Sequence, residues 1–195
     1  DWQAEGAGPY LDYFTLPGNE RYYDFTAGPV QFFALDSDPH EPDGRREGSR
    51  QGEWLRERLT GSDEAWRVVY MHHPPYSSGV HGNNEVMQLP YEAWGASVVM
   101  GGHDHSYERL QIGGIPYFVN GMGGAPTYGF LIKAKGSRMR ITGEHGAMLV
   151  EANPNVITYR YFNTQGAEGD TFRQCHEISW RPGSESCLVG AWGGR

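Results

Sequence analysis

The chain has 195 residues, enough for one well-buried domain, with 38% hydrophobic residues, 21% charged residues and 28 glycines. That profile is loop-rich and globular, not disordered. A formal charge of −8 argues against a nucleic-acid surface, which needs a basic face, and no apolar run approaches the roughly 20 residues that cross a bilayer.

In chain order, residues 1–20 are rich in Gly and Pro and read as loop. Residues 21–25 are β-like, Gly28-Pro29 marks a turn, and Val30-Gln31-Phe32-Phe33-Ala34-Leu35 predicts a buried strand ending at Asp36. A polar, breaker-rich loop follows to Gly48. From Ser49 the period changes: Ser49 is a cap, Trp54, Leu55 and Leu59 share one helical face, and Gly61 is a stop. Residues 66–71 predict the next strand and residues 84–94 a second helix, interrupted at Pro90 and closed by Gly95. Val98-Val99-Met100 is a short core strand. Beyond Tyr107 the pattern becomes antiparallel: 109–112 and 115–119 flank Gly113-Gly114, then come 139–142, 147–151 and 156–162, the last two around Asn153-Pro154-Asn155.

After Phe162 the sequence is polar and weakly patterned, so residues 163–195 read as a tail on a domain spanning 1–162. The only two cysteines, Cys175 and Cys187, lie in that tail. In an oxidising compartment one disulfide between them would contribute about 3 kcal/mol; otherwise they are two free thiols. Neither is spaced like a zinc ligand.

Five of the eight histidines fall between His72 and His105. Met71-His72-His73-Pro74-Pro75-Tyr76, followed by His81, ends one predicted strand; Gly101-Gly102-His103-Asp104-His105 ends another. Parallel strands joined by a helix carry their chemistry at their C-terminal ends, so both groups are expected to open into one crevice. Residues at i and i+2 of an extended chain project to one side roughly 6–7 Å apart, which lets His103 and His105 reach two different ions roughly 3.5–4 Å from each other. His72, from the neighbouring strand end, completes the ligand set of one ion. His81, in a Gly/Asn-rich loop, is better placed to touch a substrate. A lone histidine at a strand end is ordinarily a hydrogen-bonded structural residue; the joint occurrence of both groups favours a metal site.

The run His72-His73-Pro74-Pro75-Tyr76-Ser77-Ser78-Gly79 with His81, and Gly102-His103-Asp104-His105-Ser106-Tyr107-Glu108-Arg109, resembles the calcineurin-like metallophosphoesterases, nearest the purple acid phosphatase-like branch. Pro17-Gly18-Asn19-Glu20-Arg21-Tyr22-Tyr23, Phe33-Ala34-Leu35-Asp36-Ser37 and Asn120-Gly121-Met122-Gly123-Gly124 belong to the same likeness. The resemblance implies an α/β fold, part of a four-layer αββα sandwich with mixed β-sheets. It also implies hydrolysis of phosphate esters at a dinuclear site of Fe, Zn or Mn, and export to the periplasm or the cell exterior.

Position by position, His72 and His103 match ligands of one ion, His105 a ligand of the other, and His81 a substrate-facing histidine. His73 stands beside a ligand and is expected to act around it, and Asp104 is expected either to orient a neighbouring imidazole or to face solvent. The family's Asp-x-His, Gly-Asp and Gly-Asn-His motifs, which bring the carboxylate and asparagine ligands, are not found in order. Gly169-Asp170 lies too late, and Asp38-Pro39-His40 fits by letter only. The chain thus reads as the C-terminal half of such a domain, holding at most one ion and inactive alone. The alternative is a non-catalytic metal-binding or interaction remnant. Glu108 and Arg109 are expected to pair and hold the hairpin, and Asp36 to cap a loop.

Overall fold

The computed structural model describes residues 8–176 and the two-residue strand Leu188–Val189. Its elements are α1 (Gly8–Tyr13), β1 (Tyr23–Ala27), β2 (Val30–Ala34), α2 (Arg50–Thr60), β3 (Trp66–Tyr70), β4 (Val98–Gly101), β5 (Tyr107–Ile112), β6 (Ile115–Asn120), β7 (Ser137–Ile141), β8 (Gly146–Ala152), β9 (Val156–Asn163), β10 (Glu168–Cys175) and β11 (Leu188–Val189). Seven strands form one sheet in the order β1-β2-β3-β4-β6-β5-β7, and four form a second, β11-β10-β9-β8. In the larger sheet β2, β3, β4 and β6 run parallel, while β1, β5 and β7 are antiparallel to their neighbours. The sheets are mixed, as expected.

Alternation along the strands builds two cores. On one face of the larger sheet Phe33, Val69, Val99 and Tyr117 pack with Leu55 and Leu59 of α2. On the other, Val30, Trp66, Val68, Val98 and Phe118 meet Ile157, Tyr159, Tyr161 and Phe172 of the second sheet. Burial of such side chains stabilises by about 1.5–3 kcal/mol each. Trp66 is buried at its polar end as well, its indole N–H donating to the Asn153 carbonyl at 2.7 Å. Helix α2 begins as read: Ser49 Oγ accepts the Gly52 N–H at 3.2 Å, and the Gly61 N–H closes the last turn on Glu57.

Three expectations are corrected. The helix over 84–94 is a single 3₁₀ turn, Glu85–Met87, followed by a turn closed by the Trp94 N–H on the Pro90 carbonyl. Asn84 supplies no side-chain cap, and Pro90 lacks the N–H a helix needs there while pushing Leu89 toward extended backbone. Glu108 and Arg109 do not pair, because successive residues of a strand point to opposite faces. Glu108 accepts the Ser78 N–H (2.7 Å) and hydroxyl (2.5 Å), whereas Arg109 binds Asp170 of the second sheet at 2.7 and 3.1 Å. The polar stretch after Phe162 contains strand β10; its buried Asp170, Phe172 and Gln174 alternate inward, and the two polar members hide the strand pattern. Gln174 is satisfied by the Ser97 carbonyl and the Tyr159 hydroxyl. Cys175 is disulfide-bonded, and Cys187 itself lies outside the described residues.

Candidate metal centre

The parallel strands β2, β3, β4 and β6 all end on one side, so the segments at Asp36, His72, Gly102 and Gly121 lie side by side. The Met71 N–H donates to Met100 O (3.0 Å), and the Gly102 N–H to His72 O (2.9 Å), carrying the sheet pairing into the loops. There His72 Nε2 lies 3.0 Å from His103 Nδ1. One ligand nitrogen each from His72, His73 and His103 fall within 4.8 Å of one another. Imidazoles bound tetrahedrally at ~2.05 Å have nitrogens roughly 3.4 Å apart, so this cluster needs only small side-chain adjustment to share a cation.

The electrostatics favour the same use. Burial holds His72 and His73 below the usual histidine range, and burial followed by the neighbouring imidazoles pushes His103 down to about 4. At neutral pH all three are uncharged, with lone pairs to offer, and no carboxylate belongs to the group among the described residues. An all-imidazole set suits Zn or Fe better than Mn, which prefers oxygen ligands.

His103 has a positive φ of 60°, a left-handed conformation costing a non-glycine residue about 1–2 kcal/mol. The cost turns its ring back toward His72. His73 is fixed by Ser37, whose Oγ lies 2.9 Å from Nδ1 and accepts the His73 N–H at 3.0 Å. If Nδ1 carries the proton, the lone pair of Nε2 is free for a cation. The His81 ring lies 4.1 Å from that of His103, centroid to centroid, and is solvent-exposed. His105 stands apart from the cluster, its Nδ1 2.9 Å from the Pro126 carbonyl and its ring against Tyr128 at 4.8 Å.

Asp104 neither faces solvent nor touches an imidazole. It is fully buried and receives the Ser77 hydroxyl, the His81 backbone N–H (3.1 Å) and the Tyr128 hydroxyl (3.4 Å). The glycines around it are there for space: a Cβ on Gly79 would sit 2.2 Å from Asp104 Cγ, and one on Gly121 2.1 Å from the Asp104 carbonyl oxygen. Asp36 caps its loop through the Asp38 N–H at 2.8 Å. Asp38 and His40 pair with each other at 2.9 Å; neither offers a ligand atom to the cluster, although the Asp38 charge acts on His73. Ser37, Ser77, Ser78 and Tyr128 are the residues that sequence reasoning missed. Ser37 and Ser77-Ser78, inside motifs of the resemblance, carried some signal; Tyr128 carried none.

The calcineurin-like phosphoesterase profile matches residues 2–107. Fe(3+)-Zn(2+) purple acid phosphatase 12 of Arabidopsis thaliana is 37% identical over 83 residues, 37% of this chain and 18% of that protein. Purple acid phosphatase 15 of the same plant is 30% identical over 115 residues, 51% of this chain and 21% of that protein. The chain therefore spans a small part of the length of these relatives. Among solved structures, purple acid phosphatase PPD1 from yellow lupin (Lupinus luteus) superposes with a TM-score of 0.75 at 20% identity, over 86% of this chain and 35% of that one. GAP50, described as the anchor in the inner membrane complex of Plasmodium, superposes with a TM-score of 0.59 at 15% identity, over 79% of this chain and 53% of that one.

Proposed function

The chain belongs to the calcineurin-like phosphoesterase family, and on that premise we propose that it carries the histidine half of a metal-dependent phosphate-ester hydrolase site. The carrying observation is the convergence of His72, His73 and His103 at the ends of two parallel strands. In this reading His72 and His103 hold one ion of Fe, Zn or Mn. His73 takes the role of a third donor or of a support for the pair. His105 serves a second ion whose carboxylate ligands come from polypeptide outside this chain.

A metal held there supplies Lewis acidity toward a phosphoryl oxygen. The protein's own part is positional. Asp104 fixes the His81 backbone, and Tyr128 fixes the 103–105 loop by donating its hydroxyl to the His103 carbonyl at 3.1 Å. From there His81 can hydrogen-bond a phosphate oxygen or give a proton to the leaving alkoxide. The disulfide at Cys175 supports an oxidising, exported setting. Among the described residues no helix is long and apolar enough to cross a membrane.

The lack of a carboxylate in the cluster among the described residues also suits the rival reading, a remnant that binds metal without turnover. Hydrolysis of an aryl phosphate separates the two. The 195-residue chain should show negligible turnover with Zn, Fe or Mn, and a longer polypeptide including upstream sequence should show turnover that His81→Ala lowers at least about tenfold. Robust turnover by the chain alone would contradict the half-site. An inactive longer polypeptide would leave the remnant.

A further inference from the structure

Beyond the histidine cluster lies a groove of about 420 Å³, lined by Phe130, Lys133, Ser137, Arg138, Arg140 and Thr142 among others. Three of these carry positive charge and none a negative one, in a chain whose net charge is −8. We propose that this groove binds a phosphate-type anion, separately from the metal cluster.

Strand β7 is an edge strand, and charges on an edge ordinarily serve to keep other strands away. That purpose does not account for the rest of the groove. Lys133 comes from the loop before β7, and neither it nor Arg138 forms an ion pair among the described residues. The pairing of β7 with β5 shifts register between Arg109 and Leu110, opposite Met139 and Ser137, so that Arg138 is the extra, bulged residue. Arg140 is held in place, its guanidinium 5.4 Å over the Phe130 ring and 3.4 Å from the Ile132 carbonyl.

The independent sign of a ligand is Ser137. It is only 7% exposed, lines the groove, and its Oγ makes no hydrogen bond within the protein. A buried hydroxyl without a partner is costly; this one is closed off from solvent behind the groove wall, so a bound anion would satisfy it through a small local opening of that wall. Two guanidiniums, one ammonium and a hydroxyl form a donor set matched to phosphate oxygens. Thr142 of the groove donates its hydroxyl to the Tyr128 carbonyl at 2.6 Å, and Tyr128 packs on His105, which links the groove's wall to the histidine loop. The ligand is then either free phosphate or the second phosphoryl group of a larger molecule.

Resin-stripped, metal-free protein is titrated with inorganic phosphate and with pyrophosphate, followed by amide NMR shifts and calorimetry. Saturable binding is expected, with shifts at 130–142, weakened at least tenfold in the Lys133→Ala/Arg138→Ala double variant and unaffected by His72→Ala. Saturation by phosphate identifies the free anion; saturation by pyrophosphate alone identifies a second phosphoryl group. Arg138→Gln, which preserves the size of an exposed side chain, gives the same loss in smaller degree should the double variant fold poorly. Absence of saturable binding to both anions, or equal binding by Arg138→Gln, overturns the proposal. Because no metal or turnover is involved, either result is independent of the hydrolytic reading.

Discussion

The carboxylate of Asp104 accepts the backbone N–H of His81 at 3.1 Å, joining two loops 23 residues apart in the chain. With Ser77 and Tyr128 also donating to it, this buried side chain sets where the exposed His81 stands relative to His103. Asp104→Ala leaves the Ser77 hydroxyl and the His81 N–H without their acceptor, at about 1–3 kcal/mol for each buried group. The expected result is a melting temperature lower by at least about 4 °C for a domain of this size, with displaced His81 resonances. Asp104→Asn, which keeps one acceptor oxygen, should lose less. An unshifted melting curve for the alanine variant would show that the hub holds nothing.

Gly79 meets the same carboxylate from the other side. Its Cβ position lies 2.2 Å from Asp104 Cγ, and that atom is locked in a buried network. Gly79→Ala should therefore destabilise by about 1–3 kcal/mol, read as a lower urea midpoint at unchanged slope. Gly123→Ala, where nothing lies within 4 Å, is the matched control and should be close to neutral.

Asp170 ties the two sheets through Arg109 and Tyr107, with its side chain 4% exposed and that of Arg109 16% exposed. Asp170→Ala strands a largely buried guanidinium and should cost about 3–5 kcal/mol in equilibrium unfolding. Replacing both, Asp170→Leu with Arg109→Met, should recover most of that loss. A single variant that unfolds like the parent would mean that the sheets are joined by apolar packing alone.

Stability of the metal-free protein should depend on pH in two opposing ways. His103, pushed by burial down to about 4 from an ordinary 6.5, contributes stability present above pH 6.5 and lost as pH falls from there through about 4, because the unfolded chain takes up the proton first. Asp36 behaves oppositely. Burial, with Glu41 adding to it, raises Asp36 to about 7, so its contribution is full below about pH 4 and is lost as pH rises through about 7. Over pH 4 to 6.5 the two slopes nearly cancel, so relative to the parent the unfolding free energy should fall as pH rises through that range in His103→Gln and rise with pH there in Asp36→Asn. Unchanged profiles in both variants would contradict these environments.

The strands and the long helix were legible in the sequence because their burial repeats with a fixed period: Phe33, Val69 and Val99 on one face, Leu55 and Leu59 on α2. The nearness of the His72 and His103 segments was legible too, since it needs only two motifs at the ends of adjacent parallel strands, but the expected set paired them with His105 and the cluster brings in His73 instead. What escaped notice depends on contacts between distant positions. Strand β10 was hidden because Asp170 and Gln174 face inward toward partners 61 and 77 residues away. The positive φ of His103, the Ser37 contact to His73 and the Tyr128 clamp have no local signature, because each is set by tertiary packing. The opposite destinations of Glu108 and Arg109 were readable from strand alternation alone, and adjacency in sequence was the wrong guide.

His72 and His103, with His73 beside them as donor or support, are held to share one cation. Titration of the metal-stripped chain with Zn²⁺ or Co²⁺, read by calorimetry and the Co²⁺ absorption spectrum, tests it most directly. One ion should bind per chain, and His72→Ala and His103→Ala should each weaken it by on the order of 100-fold, with loss of the imidazole-ligated Co²⁺ spectrum. Equal stoichiometry, affinity and spectrum in the parent and both variants would contradict it.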